Sequence, residues 1–392
     1  MLAGCAPTVV PAGRNARVPT LTADHYVAAD GTALPLAVWP AKDGHPKGVI
    51  LGLHGFGDYR DAFEEPAELW SKSGFVTYSY DQRGFGQSPT RGRWPGTDTL
   101  TEDAKAVAGL LHERYPDLPV YVVGESMGGA LALVAADRGM EVDALVLSAP
   151  AVRTRASFGP LASAGLWFFA HTIPWLPAGP TSIDFQPTDN PKTIKKLQND
   201  PLMLRQPRVD MGYGLLNLMD DSKEAASHVK VPYLVLHGIG DKLVPEGPLK
   251  AIIEVLPPRA DSKLAFYKHG YHLLMRDKDG PLVSADIAAW LSNHEAALPS
   301  GADKPGLLPK LANAWGTKRP REDSRERESL SRSEQPRQPA RAHRGHRRSS
   351  ACYRSSGPGS CPWCCCTSGS NAACSRQAHR SGSRRPACHR SR

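Results

Sequence analysis

The chain has 392 residues and a formal net charge of +9, but this charge is unevenly distributed. Residues 316–392 contain 18 Lys and Arg against 5 Asp and Glu, so the remaining 30 basic and 34 acidic residues give the body a balance of −4. A mildly acidic body offers no surface for a polyanion, and we expect no nucleic-acid partner. The body also contains no apolar run of 18 residues, which argues against a transmembrane helix.

The start of the chain matches a lipidation motif. Residues 2–5, LAGC, match the bacterial lipobox, in which the cysteine is acylated and becomes the mature N-terminus. A signal peptide would place a basic stretch and an apolar run before this match, whereas only Met1 precedes it. We therefore expect the true start codon to lie upstream, residues 1–23 to form a tether, and a lipidated Cys5 to anchor the protein to the bacterial cell envelope, facing the periplasm. A cytoplasmic protein with a chance match is the alternative.

The C-terminal region, residues 299–392, is rich in Arg, Ser, Pro and Cys and too poor in large aliphatic residues to form a core. A basic arm for nucleic acid or anionic lipid is one functional interpretation, and a metal site at Cys361 and Cys364–Cys366 is another. The run CPWCCC lacks the spaced ligand pairs of zinc sites. We interpret the region as a low-complexity basic tail that is disordered, or that follows a frameshift and has no evolved function.

Residues 24–298 alternate between apolar strands and amphipathic helices. HYVAADGTALPLAVWP, from His25, predicts an antiparallel hairpin around Asp30 and Gly31. Buried strands are predicted at GVILGLHG, FVTYSYDQRG, PVYVVGES, ALVLSAP, PYLVLHG and KLAFYKHG. Helices are predicted from Asp61, from Thr97, after Ser126 and from Pro281. This alternation predicts an α/β fold, with a mostly parallel sheet and helices on both faces.

The alternation stops between Pro150 and Val231, where the segments GLWFFAHTIPWLPAG and MGYGLLNLMDDS occur. Open α/β sheets bind ligands at the carboxyl ends of their strands, and an insertion of this length can cover that edge. We expect residues 151–230 to form a helical cap. Soluble proteins seldom expose many aromatic residues without a function, so the cap favours an apolar substrate. The alternative is an insertion with a purely structural role and no part in substrate binding.

The strand PVYVVGES runs into a helix at Ser126, which lies between Gly124 and Gly128. The pattern G-x-S-x-G at such a junction is typical of a nucleophile elbow, a turn so tight that the neighbouring residues must be small. The turn lifts the serine hydroxyl above the edge of the sheet. An ordinary turn with an N-cap serine is the alternative, unless the chain also supplies a base, an acid and an oxyanion hole.

A serine hydroxyl becomes a nucleophile when a base accepts its proton and a carboxylate orients that base. Asp241 follows the strand PYLVLHG and His272 follows KLAFYKHG, which gives the chain order Ser, Asp, His. Because each residue follows its own strand, we expect all three catalytic side chains at one edge of the sheet. The backbone N–H groups of Met127 and Phe56 are expected to form the oxyanion hole.

Other titratable side chains near these motifs are assigned structural roles. We expect His269 on the end of the last strand, Asp277 in solvent, and the side chain of Glu125 directed away from the nucleophile. His54 and His237 each precede a glycine at a strand end and are interpreted as packing or loop-fixing residues.

The segments HGFGD, YDQRGFGQS, GESMGG, HGIGDKLVP and HGYHLLMRD occur in the order and approximate spacing of the monoacylglycerol lipase and lysophospholipase branch of the α/β-hydrolases. The chain resembles this branch over residues 24–298. Two positions depart from its usual pattern. Glu125 replaces the histidine of GHSMGG, and Leu273 stands where an acidic residue commonly follows the histidine. The segment YDQRGFGQS is interpreted as a structural turn.

The resemblance implies an α/β-hydrolase fold and a serine ester hydrolase without a metal or organic cofactor. Its substrates would be single-chain acyl lipids such as monoacylglycerols or lysophospholipids. Aminopeptidases and acyltransferases on the same fold remain open alternatives. An aminopeptidase would need acidic cap residues to hold a substrate amine, and Asp184, Asp189, Asp220 and Asp221 are available. A non-catalytic binding protein is disfavoured, because such proteins usually lose a member of the triad and this chain keeps all three.

Overall fold

The structure is a computed structural model in which residues 7–178 and 186–304 are described. The predictions for Cys5 and for the tail beyond residue 304 therefore concern residues that the structure does not describe. None of the described helices is both long and apolar enough to cross a membrane.

A nine-stranded sheet organises the described residues, in the order β1-β2-β3-β5-β4-β6-β7-β8-β9. The strands are β1 Thr20–Leu21, β2 His25–Val27, β3 Ala33–Trp39, β4 Gly48–Leu53, β5 Phe75–Tyr80, β6 Val120–Glu125, β7 Ala144–Ser148, β8 Tyr233–Gly238 and β9 Lys263–Tyr267. Strands β4 to β9 are parallel to one another, and β3 pairs antiparallel with β5. The predicted mostly parallel sheet with a hairpin at one edge is confirmed.

The helices are α1 Glu64–Lys72, α2 Thr97–Arg114, α3 Met127–Asp137, α4 Arg155–Phe158, α5 Pro160–Thr172, α6 Pro191–Asn199, α7 Val209–Ala226, α8 Glu246–Ile253 and α9 Gly280–Ser292, with 3-10 turns at Arg60–Phe63 and Leu274–Arg276. The helices α2, α3, α7 and α8 contribute to the apolar core on one face of the sheet. The helices α1 and α9 contribute to the core on the other face. The short strand β1 and the helix α8 were not predicted from the sequence.

Both faces of the central strands are buried, which explains their continuous apolar runs. Successive side chains of a strand point to opposite faces. In β4, Val49 and Leu51 accordingly join one core, while Ile50 joins the other. In the second core, the fully buried Trp70 donates its indole N–H to the carbonyl oxygen of Ser284 at 3.0 Å and so joins α1 to α9.

The helices α4 to α7 lie between β7 and β8, where the sequence predicted a cap. Helix α7 packs against both α3 and α5. The cap also contacts the loop that follows β4, because the N–H of Leu204 donates to the carbonyl oxygen of Gly57 at 2.8 Å. Gly57 has a φ of +82°, a conformation that favours glycine.

The described part of the N-terminal segment is attached to the body, although the sequence suggested a tether. The N–H of Val10 donates to the carbonyl oxygen of Trp94 at 2.9 Å, next to a β-bridge between Val9 and Trp94. Further along, the N–H of Gly13 donates to the Asp30 carboxylate at 2.8 Å. Backbone donors of this kind are not evident from a composition rich in Pro and Ala.

Candidate active site

Ser126 lies directly between β6 and α3 with a φ of +53°. Residues other than glycine adopt this region rarely, and a strained backbone persists only where its surroundings enforce it. The N–H of Ser126 donates to the carbonyl oxygen of Ser148 at 3.0 Å, and its own carbonyl accepts from the N–H of Ala151 at 2.9 Å. The end of β7 and the residues after it therefore hold the strained serine in place.

The two glycines of the G-x-S-x-G motif are required by close approach of the backbone. A Cβ on Gly128 would overlap the carbonyl oxygen of Leu53, at the end of β4. A Cβ on Gly124 would overlap the backbone of Gly128 itself. Both positions have negative φ, so the requirement is for space and not for a left-handed conformation. The turn has the geometry of a nucleophile elbow.

The structure brings the three predicted catalytic side chains together. The Nε2 atom of His272 lies 3.0 Å from the hydroxyl oxygen of Ser126, and its Nδ1 lies 2.8 Å from Oδ2 of Asp241. The other oxygen of Asp241 accepts from the N–H groups of Leu243 and Val244, at 2.8 and 3.0 Å. This arrangement fixes the carboxylate and orients His272, with Nδ1 as donor and Nε2 as acceptor.

The electrostatics favour an ionised Asp241 and a neutral His237. Burial acts to raise the pKa of Asp241, but the hydrogen bond and charge of His272 and the amide of Val244 outweigh it, so this pKa lies below its usual 3.8. Burial lowers the pKa of the neighbouring His237 to about 4, even though the Asp241 charge opposes this shift. His237 is therefore uncharged at neutral pH, which agrees with a packing role.

The two predicted oxyanion donors flank Ser126. Met127 is the first residue of α3, where the helix dipole favours negative charge. Phe56 lies on the loop after β4, and a Cβ placed on its neighbour Gly55 would lie 3.4 Å from the Cβ of Ser126. Among residues 7–178 and 186–304, neither N–H donates to a protein acceptor. Both amides are thus able to bind an oxygen beside the serine.

His54 lies where a loop-fixing role was expected. It is fully buried, its Nε2 accepts from the N–H of Gln82 at 3.0 Å, and its Nδ1 donates to the carbonyl oxygen of Gly55 at 2.9 Å. Burial lowers its pKa, so the ring is neutral and connects the loops after β4 and β5.

Two expectations for residues near His272 were wrong. His269 does not lie on the last strand, because β9 ends at Tyr267, where the N–H of Gly270 donates to the Tyr267 carbonyl and closes a turn. Asp277 does not lie in solvent, since only 3% of it is exposed and its carboxylate accepts from the N–H of Tyr271 at 2.7 Å. Burial raises the pKa of Asp277 to about 6.

A buried ion cluster behind the serine was not predicted. The guanidinium of Arg276 lies 2.8 Å from Oδ2 of Asp58 through Nη1 and donates to Oε1 of Glu125 through Nη2. The side chain of Glu125 therefore faces Arg276 and not the Ser126 hydroxyl, as expected. The signal in the sequence was Glu125 itself, because a carboxylate at the end of a buried strand needs a cationic partner.

No group of three or more His, Cys, Asp or Glu side chains within the described ranges could hold a metal ion. The cysteines of the predicted tail alternative, Cys361 and Cys364–Cys366, lie outside those ranges.

The structure has a mostly parallel sheet and a strained serine at a strand-to-helix junction. The serine is hydrogen-bonded to a histidine, which is in turn hydrogen-bonded to a carboxylate. These features define an α/β-hydrolase. Residues 44–279 match the sequence profile described as "Serine aminopeptidase, S33", and the chain belongs to this family. It is an enzyme of the serine hydrolase class, in the branch of the fold that is similar to monoacylglycerol lipases.

Two curated relatives cover the body of the chain. The monoacylglycerol lipase of Mycolicibacterium smegmatis is 26% identical over 273 residues, which are 69% of this chain and 96% of that protein. The monoglyceride lipase of Homo sapiens is 31% identical over 290 residues, 71% of this chain and 93% of that protein.

Among solved structures, the chain is similar to a soluble variant of the Saccharomyces cerevisiae monoglyceride lipase in complex with a substrate analog. The TM-score is 0.60 at 21% identity, covering 74% of this chain and all of that one (100%). This likeness supports the α/β-hydrolase fold.

Proposed function

We propose that the protein hydrolyses carboxylic esters of single-chain acyl lipids, with monoacylglycerols or lysophospholipids as substrates. The observation that carries this proposal is the hydrogen-bonded series from the Ser126 hydroxyl through His272 to Asp241. The curated relatives named monoacylglycerol lipase and monoglyceride lipase support the substrate class.

In the proposed mechanism, Ser126 attacks the ester carbonyl while His272 Nε2 accepts the hydroxyl proton. Asp241 stabilises the imidazolium that forms, and the N–H groups of Phe56 and Met127 bind the oxyanion. His272 then protonates the leaving alcohol, and the acyl group remains on Ser126. A water molecule, deprotonated by His272, attacks this acyl-enzyme and releases the fatty acid.

The cap supports an apolar substrate. Among the cap residues that the structure describes, the exposed large hydrophobic side chains are Phe158, Leu161, Trp167, Phe168, Phe169, Trp175 and Leu176. An acyl chain that covers such a surface gains about 25 cal/mol for each Å² of apolar area removed from water. Exposed apolar patches of this kind commonly mark binding sites for ligands, proteins or membranes.

An aminopeptidase is less well supported, because the acidic cap residues named above that the structure describes already have partners. The carboxylate of Asp220 binds the guanidinium of Arg155, and Asp189 accepts from the N–H of Lys278 at 2.8 Å. Asp184 lies outside the described residues. Asp189 also lies 3.8 Å from Lys278 Nζ, and Asp221 lies 3.6 Å from Arg138 Nη2. A carboxylate with a cation close by attracts the ammonium group of a peptide less strongly.

For its location, we propose that a lipid on Cys5 attaches the enzyme to the bacterial cell envelope. The support is the LAGC match at residues 2–5. Fractionation of cells that express the gene with its upstream region tests this: wild-type protein is expected in the membrane fraction and Cys5→Ser in the soluble fraction. Equal distribution of the two would favour the cytoplasmic alternative.

The function is tested with the purified full-length chain and its Ser126→Ala variant. Release of fatty acid is measured with monoacylglycerol and with lysophosphatidylcholine, and amino-acid arylamides are assayed in parallel. We expect fatty acid release by the wild type only, and the two rates would identify the preferred head group. Cleavage of arylamides alone would contradict the proposal and favour an aminopeptidase, and transfer of the acyl group to an added alcohol without release would favour an acyltransferase.

A further inference from the structure

Arg276 is a buried cation that the proposed mechanism does not use. We propose that Arg276 is a positioning residue, which holds the oxyanion loop and the nucleophile elbow against the loop that carries His272. It acts through ion pairs with Asp58 and Glu125. This inference deepens the proposed function and rests on Ser126 as the nucleophile.

The ion cluster connects three of the four segments that supply the reaction, and only the segment of Asp241 lies outside it. Asp58 comes two residues after the oxyanion donor Phe56, and Glu125 comes one residue before the nucleophile. Arg276 lies four residues after His272, in the 3-10 turn Leu274–Arg276. The exposed fractions of Asp58, Glu125 and Arg276 are 5%, 0% and 7%, so solvent screens their interaction only weakly. A shift of any one loop would therefore change the distance between oppositely charged, poorly solvated groups.

The contacts suit a guanidinium and not an ammonium group. Arg276 Nη1 lies 2.8 Å from Oδ2 of Asp58, and Nη2 donates to Glu125. The two carboxylates belong to separate segments, the loop after β4 and the end of β6. A guanidinium presents several donors in one rigid plane, whereas a lysine ammonium is a compact charge on a flexible stem. Arginine can thus fix both the distance and the angle between the loops. Without it, two buried carboxylates would face each other and repel.

The backbone of Arg276 is also held in place. Its carbonyl oxygen accepts three hydrogen bonds, from Thr188 Oγ1 at 3.3 Å, Asn190 Nδ2 at 3.1 Å and Thr193 Oγ1 at 2.9 Å. These donors lie before and within α6, at the base of the cap. The guanidinium therefore extends from a fixed backbone, which is the condition for one side chain to position others.

Glu125 depends on Arg276 for its pairing. Its Oε1 accepts from Arg276, while its Oε2 has no hydrogen-bond partner among the residues that the structure describes. Burial raises the pKa of Glu125, and the charge of Arg276 is the largest effect that opposes this rise. Glu125, in place of the histidine of GHSMGG, thus supplies an anionic partner for Arg276.

A second buried arginine provides a matched control. Arg83 is 3% exposed and pairs with Asp30 and Asp103 at 2.8 and 2.6 Å. Like Arg276, it bridges two carboxylates from separate segments, but its hydrogen bonds go to residues that carry no proposed catalytic group. A substitution that only destabilises the fold should have the same effect at both positions.

The experiment compares Arg276→Lys and Arg83→Lys in the full-length protein. Thermal unfolding gives the melting temperatures of both variants. Well below these temperatures, we measure kcat and KM for a soluble ester and the rate at which a fluorophosphonate labels Ser126. We expect Arg276→Lys to lower kcat and the labelling rate by about 10- to 100-fold with little change in KM, since a small misplacement of reacting groups has effects of this size. Arg83→Lys is expected to lower stability and leave kcat within about twofold.

Equal kcat and labelling rates in Arg276→Lys and the wild type would overturn the inference and leave Arg276 as a structural ion pair. If Arg276→Lys does not fold, Asp58→Asn and Glu125→Gln replace it, because each keeps its shape and one acceptor while losing its charge. Lower kcat in both variants supports the inference, and unchanged kcat in both overturns it.

The labelling rate separates this result from a failure of the proposed function. Labelling that depends on Ser126, without cleavage of lipid esters, would contradict only the substrate, and the effect of Arg276→Lys on labelling would still decide the inference. Absence of labelling in the wild type would overturn the nucleophile and this inference together.

Discussion

Asp241 accepts from His272 Nδ1 at 2.8 Å through one oxygen, while backbone amides hold its other oxygen. This pairing places the proton of the neutral ring on Nδ1 and leaves Nε2 to accept from Ser126. In Asp241→Asn, an amide that donates to Nδ1 would favour the other tautomer. We expect kcat to fall by roughly 10⁴-fold with little change in fold, as measured by ester hydrolysis and circular dichroism.

The control for this prediction is Asp261→Asn. Asp261 pairs with Arg259 at 2.8 Å on the surface, and kcat should not change. A near-wild-type kcat in Asp241→Asn would show that His272 does not need this carboxylate.

The tight packing of the elbow predicts different effects for two glycine substitutions. Gly128→Ala would push a methyl group into the carbonyl oxygen of Leu53, so we expect loss of activity and a large drop in melting temperature. Gly109→Ala, on the exposed side of α2, meets no atom within 4 Å. Because alanine favours the helix, it should stabilise the protein by about 0.5–1 kcal/mol. Thermal unfolding and ester hydrolysis measure both, and a fully active Gly128→Ala would contradict the assigned geometry of the elbow.

The aromatic surface of the cap predicts a dependence on acyl-chain length. We expect Trp167→Ser and Phe168→Ser each to raise KM for a long-chain monoacylglycerol about fivefold, which corresponds to about 1 kcal/mol of lost apolar contact, with little effect on a short-chain ester. Leu282→Ser, which changes an exposed apolar residue of α9 outside the cap, is the control. Equal effects on long and short chains would show that these rings do not contact the acyl chain.

The burial of Asp277 predicts that its contribution to the stability of the fold decreases as the pH rises. Its pKa in the folded state is about 6, above the ordinary 3.8, so the folded protein binds this proton more tightly than the unfolded chain does. Its stabilising contribution is complete below about pH 4 and is lost as the pH rises through about 6. Asp277→Asn resembles the neutral form, so it should be more stable than the wild type at pH 7 and lose this advantage near pH 4.

Urea unfolding at pH 4.5 and pH 7 measures the difference between the two proteins. Asp261→Asn serves as the reference, because the hydrogen bond from Arg259 holds the pKa of Asp261 below 3.8 and its pH dependence lies below this window. A stability difference between wild type and Asp277→Asn that does not change with pH would contradict the raised pKa.

The strands and the order of the catalytic residues could be predicted because they depend on local patterns. An apolar run such as GVILGL predicts a strand that is buried on both faces of the sheet. Because the strands are parallel, the residues that follow three of them, Ser126, Asp241 and His272, lie at the same edge of the sheet. Helix α8 was missed because its eight residues include Pro248 and carry a weak periodic signal. His269 was misplaced because a hydrogen-bonded turn ends β9 two residues earlier, and that bond joins backbone atoms.

The buried ion pairs could not be predicted from local patterns. Asp58, Glu125 and Arg276 are far apart in the chain, and each is a residue type that is common in loops or at strand ends. Asp277 lies in the polar stretch RDKDG, which predicts a solvent-exposed residue. In the fold, its carboxylate instead accepts a hydrogen bond from the N–H of Tyr271. To predict ion pairs between distant parts of the chain, one must know which loops are in contact in the folded protein.

The bridge between Val9 and Trp94 fixes where the N-terminal segment meets the body. Trp94 lies against Gly214 of the cap helix α7, so the N-terminal segment joins the body beside the cap. Cys5 is four positions before Val9, and the chain between them can span at most about 14 Å. If Cys5 carries the proposed lipid, this short connection would keep the cap side of the enzyme within reach of lipids that leave the bilayer.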